Sequence, residues 1–333
     1  MDQLFTGLAP NAKGEIRGRM RLLSSSSPLV AAGFIVTAMA ILGLTDNLVI
    51  TVAPDIGLWQ FHMLRAALGL PVILFAAWVS GARLRPVRLG AVLLRSLLVS
   101  LSMVFYFGAL AFLPVAQTAA GLFTAPIWVM LISVLVLGQR VSLFNVLAVI
   151  IGFAGVMLVL QPDVRALSPA LVMPVTAGVL YAIGAIVTRR MCAQETTLTL
   201  LVAFFVTMVG WGLLGCLVLE LLQPEVPAGA DGFLLRGWRA MSWTALGLVA
   251  VQALGAVIGL ALIFRAYLMA EAPFLAVFEY AMLITGGFWG WVIWGQTQNA
   301  LAFVGIALII VSGGTLARAG RVPPATRTAE LAP

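Results

Sequence analysis

Residues Pro273 to Trp291 read PFLAVFEYAMLITGGFWGW. All but one of these side chains suit a hydrocarbon solvent, and the exception, Glu279, is a carboxylate. A helix that crosses a bilayer needs about 20 apolar residues in succession. The stretch therefore reads as a membrane span with an ionisable group inside it. The rest of the chain has the same character. Of 333 residues, 62% are hydrophobic and 9% charged, against roughly 25% charged in a soluble domain. Mean hydropathy is +1.10. A water-soluble core could not hide that much apolar surface, so lipid is the solvent for most of the chain.

Breaks at Pro, Gly and charge clusters give ten candidate spans: 29–52, 58–79, 89–111, 116–137, 142–160, 169–188, 198–221, 244–268, 273–295 and 299–317. The stretch 222–243 is expected to be an interfacial loop, with Phe233, Trp238 and Trp243 at headgroup level. Residues 1–28 are polar, with no early apolar core before a small-residue cleavage site, and read as a tail rather than a signal peptide. Residues 319–333 read as a second tail.

The net charge of +7 does not point to nucleic acid, because the basic residues occupy short breaks between apolar segments rather than a stripe. Lys13, Arg17, Arg19, Arg21, Arg83, Arg85, Arg88, Arg140, Arg189, Arg190, Arg318, Arg321 and Arg327 fall on one side of the membrane, and Arg165, Arg236 and Arg239 on the other. By the positive-inside rule both termini are then cytoplasmic, in a multi-pass protein of the cytoplasmic (inner) membrane.

The end of the fourth span, LVLGQRVSLFN (Leu135 to Asn145), matches the end of the ninth, VIWGQTQNALA (Val292 to Ala302), at an offset of 157 residues (295 − 138). The same offset aligns Phe107 with Phe264, Ala109 with Ala266 and Ala119 with Ala276. Five spans followed by five more place the second set upside down. The expected fold is an all-α membrane protein of ten transmembrane helices, built as two inverted five-helix repeats, 29–162 and 163–318. Inverted repeats of this kind build many secondary transporters, with the solute near the midplane between halves.

The segment from Phe105 to Asp163, FYFGALAFLPVAQTAAGLFTAPIWVMLISVLVLGQRVSLFNVLAVIIGFAGVMLVLQPD, resembles the drug/metabolite transporter superfamily, EamA type. The similar features are the aromatic–small pattern before Leu113-Pro114, the T-A-P-x-W helix, the Leu-Gly turn and the G-x-x-G-V close. The resemblance implies the ten-helix fold over about residues 29–317 and transport of amino acids, nucleotide derivatives, amines or sugars. The family's acidic residue after Leu-Gly is replaced here by Gln139 and Gln296, so any role of that carboxylate is absent or changed.

Ionisable groups inside a bilayer are costly and default to functional candidates. At 1.5 Å per helical residue, Asp46 and Arg65 share a depth roughly 10 Å below the outer surface. His62 is one turn above Arg65, so Asp46, Asn47, His62 and Arg65 are expected to form an outer cluster. Arg95, Arg265 and Glu279 all fall roughly 5–10 Å from the inner surface and are expected to form an inner one. Gln117, Tyr181, Gln252 and Tyr280, with Thr124, are further candidate lining residues. Each charged group also has a structural reading: an Asp46–Arg65 or Arg265–Glu279 ion pair, or a snorkelling Arg95.

Three arginines lie within spans against two carboxylates, Glu220 at an outer helix edge set aside, which leaves one cation over. A guanidinium fork suits a carboxylate. The expected activity is therefore secondary transport, by alternating access, of a small organic metabolite that bears a carboxylate or is zwitterionic. Such a solute would be amino-acid-like, or a nucleotide or amino-acid derivative. Protons are a candidate coupling partner through Glu279, and lipids surround the chain. Two rival readings stay open: a flippase for a lipid or lipid-linked headgroup, and an uncoupled facilitator. An enzyme is disfavoured, since the chain has a single histidine, two cysteines without metal-ligand spacing and no phosphate-binding loop. No metal, cofactor, disulfide or nucleic acid is expected. Both halves lie in one chain, so a monomer suffices and a homodimer is the alternative.

Overall fold

The computed structural model describes residues 28–109, 113, 115–162, 169–228, 232–295 and 297–319. Among these there is no strand. Nine helical segments are long and apolar enough to cross a membrane: α1 (Pro28–Asn47), α2 (Leu58–Ser80), α3 (Leu89–Ala109), α4 (Thr118–Val136), α5 (Leu143–Leu160), α6 (Pro169–Met191), α7 (Thr197–Leu222), α8 (Trp243–Met269) and α9 (Ala272–Trp294). A further helix, α10 (Ala300–Ala319), has a shorter apolar stretch, Ala300–Thr315. The first expected span, 29–52, is divided: α1 stops at Asn47 and a one-turn helix, Val49–Val52, follows. Residues 1–27 and 320–333 of the expected tails, and Gln296, lie outside the described residues.

In lipid a backbone N–H has no water to bond, so only closed hydrogen-bonded structures can cross. Uniformly apolar segments therefore become helices, and polar residues mark their ends. Ser142, Thr196 and Ser242 cap the starts of α5, α7 and α8 by accepting from the N–H groups of Asn145, Thr199 and Ala245. Gly138 (φ 62°) and Gly295 (φ 66°), the two glycines aligned by the 157-residue offset, both adopt the left-handed conformation that ends a helix.

The spans that precede these glycines, α4 and α9, are also the irregular ones. α4 is interrupted at Phe123–Thr124 and ends in a π-helical turn, Ile132–Val136. α9 passes through a 3₁₀ segment, Ala276–Tyr280, between two α-helical parts.

The most extensive helix contacts form a set of pairs, α1 with α8 and α9, α2 with α7 and α8, α3 with α6 and α7, α4 with α6, and α5 with α10, while α8 touches α6 and α7 more lightly. Exchanging each helix for the one five places along maps this set onto itself. α1–α8 becomes α6–α3, α1–α9 becomes α6–α4, and α2–α8 becomes α7–α3, while α2–α7 and α5–α10 map onto themselves. The α5–α10 contact is backbone to backbone. A Cβ on Gly155 would stand 2.7 Å from the Gly305 carbonyl oxygen, and one on Gly305 would stand 2.6 Å from that of Gly155. Small residues allow this approach where lipid supplies no hydrophobic drive between helices.

Among the described residues there are two apolar cores. The larger runs through α1 to α10 and includes Phe204, Phe264, Tyr267 and Tyr280. The smaller holds Ile56, Leu58, Phe61, Phe107, Phe233 and Val249. Phe233 thus departs from its expected place at headgroup level: it is 6% exposed, inside the smaller core, with its ring 6.3 Å from that of Phe61. Trp238 and Trp243 are exposed.

Candidate functional site

Glu279 sits in the 3₁₀ segment of α9 and is buried. Its partners come from two other helices. Tyr181 of α6 donates to Oε1 at 2.9 Å, and Tyr267 of α8 donates to the same oxygen at 2.7 Å. Oε2 has no hydrogen-bond partner among the described residues. Tyr280, the next residue, faces away from this cluster. Its ring occupies the space beside Gly152 and stands edge-on to Phe123 at 6.2 Å. The Tyr280 hydroxyl is buried without a partner among the described residues.

The expected inner cluster is therefore rearranged. Arg265 is exposed and does not pair with Glu279: the helical turn that points Phe264, Ala266 and Tyr267 into the core turns residue 265 outward. Arg95 neither snorkels nor meets a carboxylate. It is 1% exposed. Its Nε donates to Thr188 Oγ1 at 3.1 Å, its Nη1 to the Leu200 carbonyl at 3.4 Å, and its Cζ lies 3.5 Å from the centre of the Phe264 ring. A ring face supplies the electron density that a desolvated guanidinium otherwise takes from an acid. Tyr181 thus ties α6 to the carboxylate of α9.

A second polar cluster links α1, α2 and α8. Gln252 donates through Nε2 to Asp46 Oδ1 at 2.7 Å, and its Oε1 accepts from Arg65 Nη1 at 3.4 Å. The expected Asp46–Arg65 neighbourhood is thus bridged by an amide, not closed as a direct ion pair. Arg65 Nη2 also bonds His62 Nδ1 at 3.1 Å. A guanidinium only donates, so Nδ1 accepts and the ring proton is assigned to Nε2. His62 is 1% exposed rather than facing a watery mouth, edge-on to Phe107 at 4.8 Å.

Asn47 does not join this cluster. It donates to the carbonyls of Gly43 at 2.7 Å and Gly286 at 3.1 Å, tying α1 to α9. Gln117 lies on the helix Val115–Leu122, and its side chain is outside the described residues. Thr124 marks the break in α4, accepting from Trp128 Nε1 at 3.1 Å and donating to the Gly121 carbonyl at 2.6 Å.

Gln252 and Tyr267 both lie on α8, fifteen residues apart (267 − 252), so the two clusters are about 22 Å apart along it at 1.5 Å per residue. Residue types alone did not expose Tyr267, Thr188 or Phe264 as partners of charge. Tyrosine and phenylalanine in a span usually pack, and only the tertiary fold shows which of them face an ion.

Residues 29–161 match the model of the EamA-like transporter family. The chain is 26% identical over 253 residues to a riboflavin transporter of Vibrio cholerae, covering 75% of this chain and 79% of the relative. It is 24% identical over 255 residues to the pseudopaline exporter CntI of Pseudomonas aeruginosa, covering 76% and 84%. A solved crystal structure of another protein superposes with a TM-score of 0.67 at 20% identity, over 90% of this chain and all of the other, and shares the fold. Residues 29–161 thus resemble the EamA-like transporter family, and over three quarters of its length the chain is similar to transporters of small molecules.

Proposed function

We propose that the protein is a secondary transporter of a small zwitterionic metabolite, one bearing both a cationic and a carboxylate group, and that it works by alternating access. The observation that carries this reading is Glu279, a buried carboxylate held by two tyrosines with no cation in hydrogen-bond contact among the described residues. Isolated charge in a low dielectric is costly. The natural occupant of Oε2 is an ammonium group of the solute, or a proton when the solute is absent. Arg95 has the complementary character, since Nη2 has no acceptor among the described residues.

The self-mapping helix pairs and the two irregular helices at equivalent places support two inverted five-helix repeats, 29–162 and 163–318, that rock about the site. The face that bears Arg83, Arg85, Arg88, Arg189 and Arg190 is the cytoplasmic one in this reading, in an inner membrane. The two named relatives carry different cargos, riboflavin and pseudopaline, so the polar groups of this chain are the better guide to its solute.

The test is thermal stability of the purified protein with amino acids, organic acids, amines, nucleosides and lipid headgroups. A ligand at ten times its dissociation constant adds about 1.4 kcal/mol if it binds only the folded state. Stabilisation by zwitterions that Glu279→Gln and Arg95→Gln each abolish is the expected result. Stabilisation by headgroups alone would replace this reading with a flippase. Equilibration of a stabilising solute without uphill accumulation under a pH gradient would replace it with an uncoupled facilitator.

A further inference from the structure

We infer that the protein carries two latches, one at each mouth, each made by a pair of loops equivalent under the exchange of helices, and that transport requires them to open alternately. The inference rests on the alternating-access reading above.

The first latch joins the α1–α2 connection to the α7–α8 connection, on the face away from the basic loops. The Leu58 N–H donates to the Phe233 carbonyl at 2.7 Å, and Trp59 Nε1 donates to Leu234 at 3.1 Å. The Gln60 amide clamps one peptide, donating to the Arg239 carbonyl at 2.6 Å and accepting from the Arg239 N–H at 3.1 Å. Arg236, 2% exposed, donates from Nη1 to the carbonyls of Ala53 at 2.8 Å and Ile56 at 3.1 Å. The Arg236 carbonyl lies where a Cβ on Gly57 would stand, so any side chain there would part the loops.

The second latch joins the α6–α7 connection to the α2–α3 connection on the basic face. Exchanging each helix for the one five places along turns the first loop pair into this one. Here a carboxylate does the fastening. Glu195, 7% exposed, accepts from the Val87 N–H at 3.0 Å and the Arg88 N–H at 2.7 Å, at the start of α3. Thr196 and Thr199 donate to the Arg83 carbonyl at 3.1 and 3.0 Å.

Each latch thus spends a buried charge on backbone groups of the opposite loop, a guanidinium on carbonyls at one mouth and a carboxylate on amides at the other. Such bonds are geometrically exacting and are lost together when a loop moves. The first latch also has a small apolar core of its own, with Phe61, Phe107 and Phe233, which touches the main core through Met103. It can therefore part with little disturbance of the main core. Both latches are fastened in this structure, and a carrier that opens both at once would leak.

The experiment uses full-length protein in oriented proteoliposomes, with Cys216→Ala and a reporter, Tyr181→Cys, labelled by a membrane-impermeant maleimide from either side. Cys192→Ala is made as well, because Cys192 lies in the α6–α7 connection that opening of the second latch would expose. Gln60→Cys with Arg239→Cys locks the first latch on oxidation, and Arg83→Cys with Thr196→Cys locks the second. The expected result is a roughly ten-fold loss of labelling from the locked side only, equivalent to about 1.4 kcal/mol, and its return with reductant. That return shows that the variants are folded.

As unlocked counterparts, Gln60→Ala and Glu195→Gln should each raise labelling on their own side. Labelling from both sides with no effect of either lock, or locks that both act on one side, would overturn the latches alone. Failure of either pair to oxidise would do the same. A reporter labelled from one side whatever the latch would overturn alternating access and the latches with it.

Discussion

The Tyr267 hydroxyl donates at 2.7 Å to the Glu279 oxygen that also accepts from Tyr181. Two neutral donors on one oxygen disperse the carboxylate charge without neutralising it, and the second oxygen is left for an exchangeable partner. Hydrogen bonds to a charged group contribute about 1.5–3 kcal/mol. Tyr267→Phe is expected to destabilise the purified protein by about that much in denaturant unfolding. The same change added to Glu279→Gln should cost clearly less, because the bond loses its charge. Additive costs in the double-mutant cycle would show that Tyr267 acts through packing.

Arg95 is matched to a flat partner. A guanidinium stacks on the Phe264 ring, where an ammonium would be a point charge without the fork that also reaches Thr188 and Leu200. Arg95→Lys should therefore fail to restore stability, losing about 1–2 kcal/mol. Phe264→Leu should lose a similar amount. Wild-type unfolding of Arg95→Lys would contradict the stacking account.

Gln252 is the sole bond between Asp46 and Arg65 among the described residues. Replacement by Leu, near in size but without polar atoms, strands a half-buried carboxylate and a buried guanidinium. Removing one member of a buried polar set costs about 3–5 kcal/mol. Gln252→Leu is expected to be among the most destabilising single changes in α8, measured as the midpoint of thermal aggregation. A compensating Asp46→Leu should recover part of the loss, and no recovery would mean that Gln252 matters only for shape.

Close approach of α5 and α10 predicts an asymmetry among glycines. Gly155→Ala places a methyl 2.7 Å from a backbone carbonyl that cannot swing aside. Overpacking of this kind costs about 1–3 kcal/mol. Gly314→Ala, on the same α10 with nothing within 4 Å, should leave the melting temperature unchanged or raised. Equal effects of the two changes would refute the backbone contact.

Much of this was legible in the chain. Apolar runs of spanning length, with Pro, Gly and charge between them, set the helices, because a bilayer forbids unpaired backbone wherever the sequence is oily. Gly138-Gln139 and Gly295-Gln296 mark two matching turns in the sequence itself, and both glycines take the left-handed conformation such a turn requires. Depth counting brought Asp46, His62 and Arg65 to one level, since residues per turn and rise fix height along a helix.

What depth counting cannot supply is azimuth between helices. Arg95, Arg265 and Glu279 were expected together because they share a level. Yet the packing of α3 against α6 and α7 carries Arg95 to Thr188, Leu200 and Phe264, the twist of α8 sends Arg265 outward, and the 3₁₀ winding of α9 hands Glu279 to two tyrosines. Sequence determined the solvent, the elements and the heights of the charges, all of which follow from local composition and helical rise. The tertiary structure decided which charge meets which partner, because that depends on how ten rods are turned about their own axes against one another.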